Sequence, residues 1–177
     1  MIGWRLIRNG SLGSAGGRIV ETEAYVLNDP ASHAFRGISA RNAAMFGEPF
    51  HAYVYRIYGR HWCVNVTSET HGHGAAVLIR ALEPEAGIEL MRARRGREDL
   101  RLLCSGPARL CQALDIDRGL DGANLLDGPD LRLLPPEWPA SKIGVSRRIG
   151  ISAAAHRRLR FYERGNEYVS GPKKLSP

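Results

Sequence analysis

Glu23 and Tyr25 close the segment Arg-Ile-Val-Glu-Thr-Glu-Ala-Tyr (18–25). If that segment is extended, alternation groups them on one face with Ile19 and Glu21, and sets Arg18, Val20, Thr22 and Ala24 on the other. A carboxylate beside a ring is either solvated surface or a general base next to a stacking platform. Tyr58 lies between Arg56 and Arg60 beside Gly59 and reads as an exposed aromatic at a stiff tip. Arg80 interrupts the apolar run Ala75–Leu82 and needs an anionic or hydrogen-bonding partner, with a structural ion pair as the plainer reading. His71-Gly-His73, with His61 and Cys63 near in sequence, has the residue types of a metal site. It falls in a glycine turn without partners at ligand spacing, and the zinc-deaminase pattern of H-x-E with P-C-x-x-C is absent, so no metal or other cofactor is expected. No P-loop, G-x-G-x-x-G or G-x-S-x-G occurs, which removes support for nucleotide-dependent or hydrolase-elbow chemistry.

The element that positions most of these residues is His51–Thr67, two runs rich in Val, Ile, Tyr and Trp that read as a long β-hairpin. A two-residue turn at Gly59-Arg60 would put Tyr53, Tyr55, Ile57, Trp62, Val64 and Val66 on one apolar face. Val54, Arg56, Tyr58, His61, Cys63 and Asn65 would take the other. A three-residue loop, Gly59 to His61, would instead bring Tyr55 opposite Asn65, and the two registers stay open. Residues 4–9 and 18–25 read as strands joined by Gly10–Gly17, a glycine-rich connection too loose for a two-residue hairpin. Residues 26–50 read as a functional loop and 69–74 as a turn. Pro84 suits the first turn of a helix running to about Arg95. A second helix is expected over Ala108–Leu114, with Ser105 as its N-cap. Residues 115–142 look like an extended connection, and strands are expected at Ile143–Ile151 and Leu159–Tyr162, before a short Gly-Pro-Lys-Lys tail.

The 177 residues, 44% of them hydrophobic, suit one domain with its own core, taken here as 1–177. No apolar run is long enough to span a membrane and the start has no signal-peptide core, so a cytoplasmic protein is expected. Three cysteines, Cys63, Cys104 and Cys111, form no C-x-x-C pair and read as small core residues in a reducing compartment. The net charge of +7 and a pI near 9.8 are spread along the chain. A folded basic face suggests a polyanionic partner such as nucleic acid, although such a charge also serves solubility alone. Lysine stands only at positions 142, 173 and 174.

Several stretches together resemble the alkyladenine, or 3-methyladenine, DNA glycosylase family. They are Arg-Ile-Val-Glu-Thr-Glu-Ala-Tyr (18–25), Ala-Ser-His-Ala-Phe-Arg-Gly (31–37), Arg-Asn-Ala-Ala-Met-Phe (41–46) and Tyr-Val-Tyr-Arg-Ile-Tyr-Gly-Arg-His-Trp-Cys-Val-Asn-Val (53–66). Leu-Ile-Arg-Ala-Leu-Glu-Pro (78–84), Cys-Ser-Gly-Pro-Ala-Arg-Leu-Cys-Gln-Ala-Leu (104–114), Arg-Ile-Gly-Ile (148–151) and Leu-Arg-Phe-Tyr (159–162) follow in collinear order. The resemblance implies a single α/β (α+β) domain built around a curved antiparallel sheet, with the hairpin entering the DNA minor groove. It implies Tyr58 as the intercalating wedge, and Glu23 as the base that activates water. Arg80 would hold the nucleotide phosphate or the water with Glu23. Tyr25, His33 and Tyr55 would surround the flipped base, Asn65 would help reject guanine, and the backbone near Ile149 would reach the base edge. Three positions depart from the family pattern: Phe50 where glycine is common before the hairpin, Arg60 where an apolar residue follows the turn glycine, and Arg147 in place of a frequent proline. The family usually has a further N-terminal helix and a Leu-Leu-Gly segment before the first strand, where this chain begins almost in the strand.

The function so implied is monofunctional release of alkylated or deaminated purines, 3-methyladenine and 7-methylguanine with hypoxanthine or ethenoadenine as further candidates. The partner so implied is double-stranded DNA, and the protein is expected to be a monomer. The chemistry is coherent: a duplex base must be rotated out before an enzyme reaches it, and a side chain filling the gap lowers the unstacking cost. Alkylation at N3 or N7 makes the purine a cation, which weakens the glycosidic bond and strengthens stacking on tyrosine. A carboxylate then stabilises the oxocarbenium-like sugar and orients water. A Schiff-base lyase needs an amine, and the lysines lie outside every matched pocket segment. The competing class is a non-catalytic damaged-DNA-binding domain, for which a carboxylate facing phosphates would be a liability. A carbohydrate N-glycosidase explains neither the charge nor the wedge.

Overall fold

The computed structural model describes residues 1–137 and 142–172. They form one antiparallel sheet of eight strands, β1 (Arg5–Gly10), β2 (Gly13–Tyr25), β3 (Ala52–Ile57), β4 (His61–Thr67), β5 (Ala76–Ala86), β6 (Leu131–Leu134), β7 (Ile143–Ser146) and β8 (Arg160–Glu163). Two α-helices, α1 (Ile88–Arg95) and α2 (Pro107–Ala113), complete the α+β fold. The main path runs β3-β4-β5-β2-β1-β6, with β8 on the second edge of β2 and β7 on β8.

The thirteen residues of β2 organise the sheet, because β2 pairs with β5 over most of its length, with β1 at its start and with β8 at Glu21–Glu23. Its register against β5 shifts between Ile19 and Glu21, so strict alternation fails there. Ile19 consequently packs in the main core, whereas Glu21 and Glu23 form ion pairs with Arg80. The expected grouping of Ile19 with the two glutamates is corrected by that bulge.

The glycine-rich connection is also corrected: β1 and β2 form a tight hairpin in which Gly10 pairs with Gly13 across Ser11-Leu12. The glycines permit close strand approach, since a Cβ on Gly17 would lie 2.1 Å from the Glu83 carbonyl oxygen. Pro84 belongs to β5, opposite Gly17, where the register against β2 shifts a further time between Gly16 and Gly17 and proline is tolerated. Helix α1 therefore starts only after Gly87, at Ile88. Gly106, with φ of 143°, caps α2 and Pro107 is its first residue. The Ser105 hydroxyl accepts from Arg109 rather than capping the helix. The stretch taken as an extended connection contains β6, whose Leu131 and Leu133 are buried against the sheet. The strand expected over Ile143–Ile151 stops at Ser146, because Arg148 turns inward to a buried partner, Asp29.

Both helices cover one face of the sheet. Met91, Leu110 and Leu114 share a buried cluster there with Val54, Val64, Val66, Ile79 and Leu82. Cys104 and Cys111 are buried in that cluster, as small core residues. The other face is covered by the loop 26–51, where Met45 packs with Tyr53 and Ala76. Among the described residues no helix is long and apolar enough to cross a membrane.

Candidate active site

The hairpin pairs Ala52 with Val66, Tyr53 with Asn65, Tyr55 with Cys63 and Ile57 with His61. Neither expected register holds. The loop is Tyr58-Gly59-Arg60, and the shift exchanges half of the proposed faces. Val54, Val64 and Val66 enter the helix-covered core, while Tyr53, Tyr55, Ile57, Cys63 and Asn65 line a cavity of about 370 Å³ on the opposite side. The cause is local: Tyr58 (φ 49°) and Gly59 (φ 69°) both take left-handed φ, and the Arg60 N–H donates to the Ile57 carbonyl at 3.2 Å. Left-handed φ in a bulky residue costs roughly 1–2 kcal/mol, which a propensity argument would not allot to tyrosine. The Tyr58 ring is 86% exposed at the cavity mouth. At the base of the hairpin Phe50 also has a left-handed φ, 60°. Its ring stacks on Trp4, with centroids 6.3 Å apart.

Tyr25, His33, Tyr55, Tyr58, Asn65, Arg80 and Ile149 all border the same cavity. Glu23 does not; it is fully buried directly behind that lining. Its Oε2 accepts from the Tyr25 hydroxyl at 3.0 Å, its Oε1 from the Ile149 backbone N–H at 2.7 Å, and Arg80 Nη1 stands 3.2 Å from Oε1. The Ile149 N–H is thus engaged by the carboxylate. Arg80 is itself held from behind, Nε donating to Glu21 at 2.9 Å and Nη2 to the Ser170 hydroxyl at 3.3 Å. Burial works against its charge, but Glu23 and Glu21 outweigh burial and raise its pKa. Glu21 accepts from Arg80, from Arg160 Nε at 2.6 Å and from the Ser170 N–H at 2.7 Å. Among the described residues it is paired with two arginines, whereas Glu23 is paired with Arg80 alone and stands directly behind the cavity wall.

The aromatic wall is ordered by hydrogen bonds and ring packing. His33 Nδ1 lies 2.8 Å from the Tyr53 hydroxyl, and the His33 and Tyr55 rings meet edge to face at 4.5 Å. Tyr53 and Tyr55 stack at 5.4 Å. Burial pushes the Tyr53 phenol up to about 12 and the Cys63 thiol, against Tyr55, up to about 11. Burial raises the Tyr25 and Tyr55 phenols as well, so the wall is neutral. Partial burial of its ring, and then the charge of Arg41, lower the pKa of His33. Asn65 Nδ2 donates to the Tyr53 carbonyl at 3.0 Å, which fixes the amide against the cavity wall. His71 and His73 lie in an exposed turn, where His73 Nδ1 is 3.2 Å from the Thr70 hydroxyl.

Residue patterns do not single out Tyr53 and Cys63, because only the observed register turns both toward the cavity. They also gave no role to Asp29, Arg148 and Arg160, whose partners are remote in sequence. Arginine at 148 and 160 inside otherwise apolar stretches was the available signal.

A family profile described as methylpurine-DNA glycosylase matches residues 1–167. The chain is 51% identical over 172 residues to a Nitrosospira multiformis protein named "Putative 3-methyladenine DNA glycosylase", covering 97% of this chain and 86% of that one. A protein of the same name from Methanoculleus marisnigri is 51% identical, with 96% and 90% covered. One from Mesorhizobium japonicum is 52% identical, with 99% and 84% covered.

Proposed function

This chain belongs to the methylpurine-DNA glycosylase family and is a DNA-3-methyladenine glycosylase, and from that premise we propose that it is a single-domain, monomeric enzyme that flips damaged purines out of duplex DNA and hydrolyses their glycosidic bond with Glu23. The observation that carries this reading is a fully buried carboxylate that accepts two hydrogen bonds and pairs with an arginine, set behind a tyrosine-lined cavity whose mouth bears an exposed tyrosine. Tyr58 fills the vacated stack while the base enters between Tyr25 on one side and His33 and Tyr55 on the other. A purine alkylated at N3 or N7 is a cation, and neutral electron-rich rings favour it over an undamaged base. Asn65, its amide tied to Tyr53, takes the space where the amino group of guanine would go. Glu23 then orients a water molecule and balances the positive charge that develops on the sugar as the base departs. Because Glu23 is covered in this state, entry of the nucleotide must displace part of that cover before water reaches it. Arg80 is committed to the two glutamates, which favours its acting on the water with Glu23 over gripping a phosphate.

The substrate range proposed is 3-methyladenine and 7-methylguanine, with hypoxanthine and ethenoadenine as neutral candidates. Lys142 is exposed and outside the cavity lining, and Lys173 and Lys174 lie outside the described residues. The cavity lining among the described residues carries no lysine amine, which supports a monofunctional mechanism. The test is base release from a duplex holding one 3-methyladenine or hypoxanthine, against undamaged DNA, in EDTA and with borohydride. Free base and an uncleaved abasic strand are expected, whereas a trapped covalent complex would contradict the monofunctional mechanism.

A further inference from the structure

The side chains of Arg148 and Asp29 are both fully buried and bridged by two nitrogens, Nη1 to Oδ2 and Nη2 to Oδ1, the second at 3.0 Å. Arg148 Nη1 also donates to the Ala24 carbonyl at 2.9 Å. The guanidinium carbon lies 4.7 Å from the centre of the Tyr25 ring. One pair therefore grips the backbone between Glu23 and Tyr25, the ring of Tyr25, and the peptide that precedes the Ile149 N–H. Tyr25 and Ile149 supply the hydrogen bonds to Glu23. Its ion-pair partner, Arg80, is set separately by Glu21. Asp29 has a further cation at 3.6 Å, the partly exposed Arg157.

We propose that Arg148, locked by Asp29, is the positioning residue of this enzyme: it orients Glu23 by holding Tyr25 and the 148–149 peptide, and it fixes the plane on which the flipped base stacks. The inference rests on the reading of Glu23 as the general base. A bidentate guanidinium delivers three fixed directions at once, which an ammonium cannot. Small displacements of a catalytic group reduce rate far more than they reduce binding. The position therefore acts on the chemical step, without touching the substrate.

Removing one partner alone would strand a buried charge, so the informative variants are Arg148→Lys, which keeps the charge but loses the fork, and the double variant Asp29→Asn/Arg148→Met, which removes both charges together. Each is measured for thermal unfolding, for affinity toward a duplex with a tetrahydrofuran abasic-site analogue, and for single-turnover release of 3-methyladenine from alkylated duplex. We expect unfolding within a few degrees of the wild type and unchanged affinity, with release slowed between about tenfold and about a hundredfold. A folded variant that releases base at the wild-type rate overturns the proposal. So does a rate loss matched by an equal loss of affinity, or the unfolding of both variants, since each makes the pair merely structural. If the wild type itself releases no base, the reading of Glu23 fails first and takes this inference with it.

Discussion

His33 lines the cavity, and on the proposed function the charge state of its ring would decide whether a cationic lesion is attracted or repelled there. His33 is held neutral near pH 7, first by burial of its ring and then by Arg41. Its folded pKa lies below the ordinary histidine value of about 6.5, so protonation begins only as the pH falls beneath that value. A protonated His33 would stand beside a cationic purine and repel it, while a neutral purine such as hypoxanthine would feel little. Single-turnover rates for 7-methylguanine should therefore drop faster than those for hypoxanthine as pH falls through this window. In His33→Gln the two profiles should run parallel; a wild type with parallel profiles would remove His33 from discrimination. The same depressed pKa means the unfolded chain binds the proton first. Stability at this group is present above about pH 6.5 and is lost as pH falls, so unfolding must be monitored alongside.

At the scale of the element, the hairpin is a support for one exposed ring. Tyr58→Ala should lose on the order of 1–3 kcal/mol, the usual worth of an aromatic stacked on a base, and only in the flipped state. A damaged base opposite a mismatch is cheaper to extrude, so the defect should shrink there relative to a well-paired site. Equal defects in both contexts would assign Tyr58 to chemistry or folding instead. The central strand carries a different dependence: in Gly17→Ala the new Cβ would meet the Glu83 carbonyl at 2.1 Å, with further Glu83 and Pro84 backbone atoms within 3.0 Å. A loss of roughly 1–3 kcal/mol in denaturant unfolding is expected, as for other overpacked sites. Strand identity in β1 to β5, both helices and the loop over the cavity were legible from local pattern, because apolar periodicity and glycine or proline punctuation act locally. The hairpin register was not, since it turned on a tyrosine adopting a glycine-like φ. The start of α1 was masked because Pro84 is as acceptable at a bulge as at a first helical turn. Asp29 and Arg148 lie 119 positions apart, and nothing in either neighbourhood names the other.

Over the whole molecule, twenty-five basic residues against eighteen acidic leave a net charge of +7. The buried charges largely cancel in pairs, Glu21 and Glu23 with Arg80 and Arg160, and Asp29 with Arg148. Arg36, Arg41, Arg56, Arg60 and Arg147 remain exposed on the loops and hairpin that border or adjoin the cavity. They suit the phosphates of a duplex laid across that face. Arg60→Gln should weaken binding to damaged and undamaged duplex alike and reduce the slope of log affinity against log salt by about one. A loss confined to damaged DNA would mean that Arg60 reads the lesion. Proposed catalysis, however, falls to one carboxylate, Glu23. Its most direct measurement is single-turnover release of 3-methyladenine from alkylated duplex by wild type and Glu23→Gln, with affinity for an abasic-site duplex measured in parallel. No detectable release by the variant is expected, with affinity unchanged or tighter because one negative charge near the phosphates is gone. Release by Glu23→Gln at the wild-type rate would contradict this expectation.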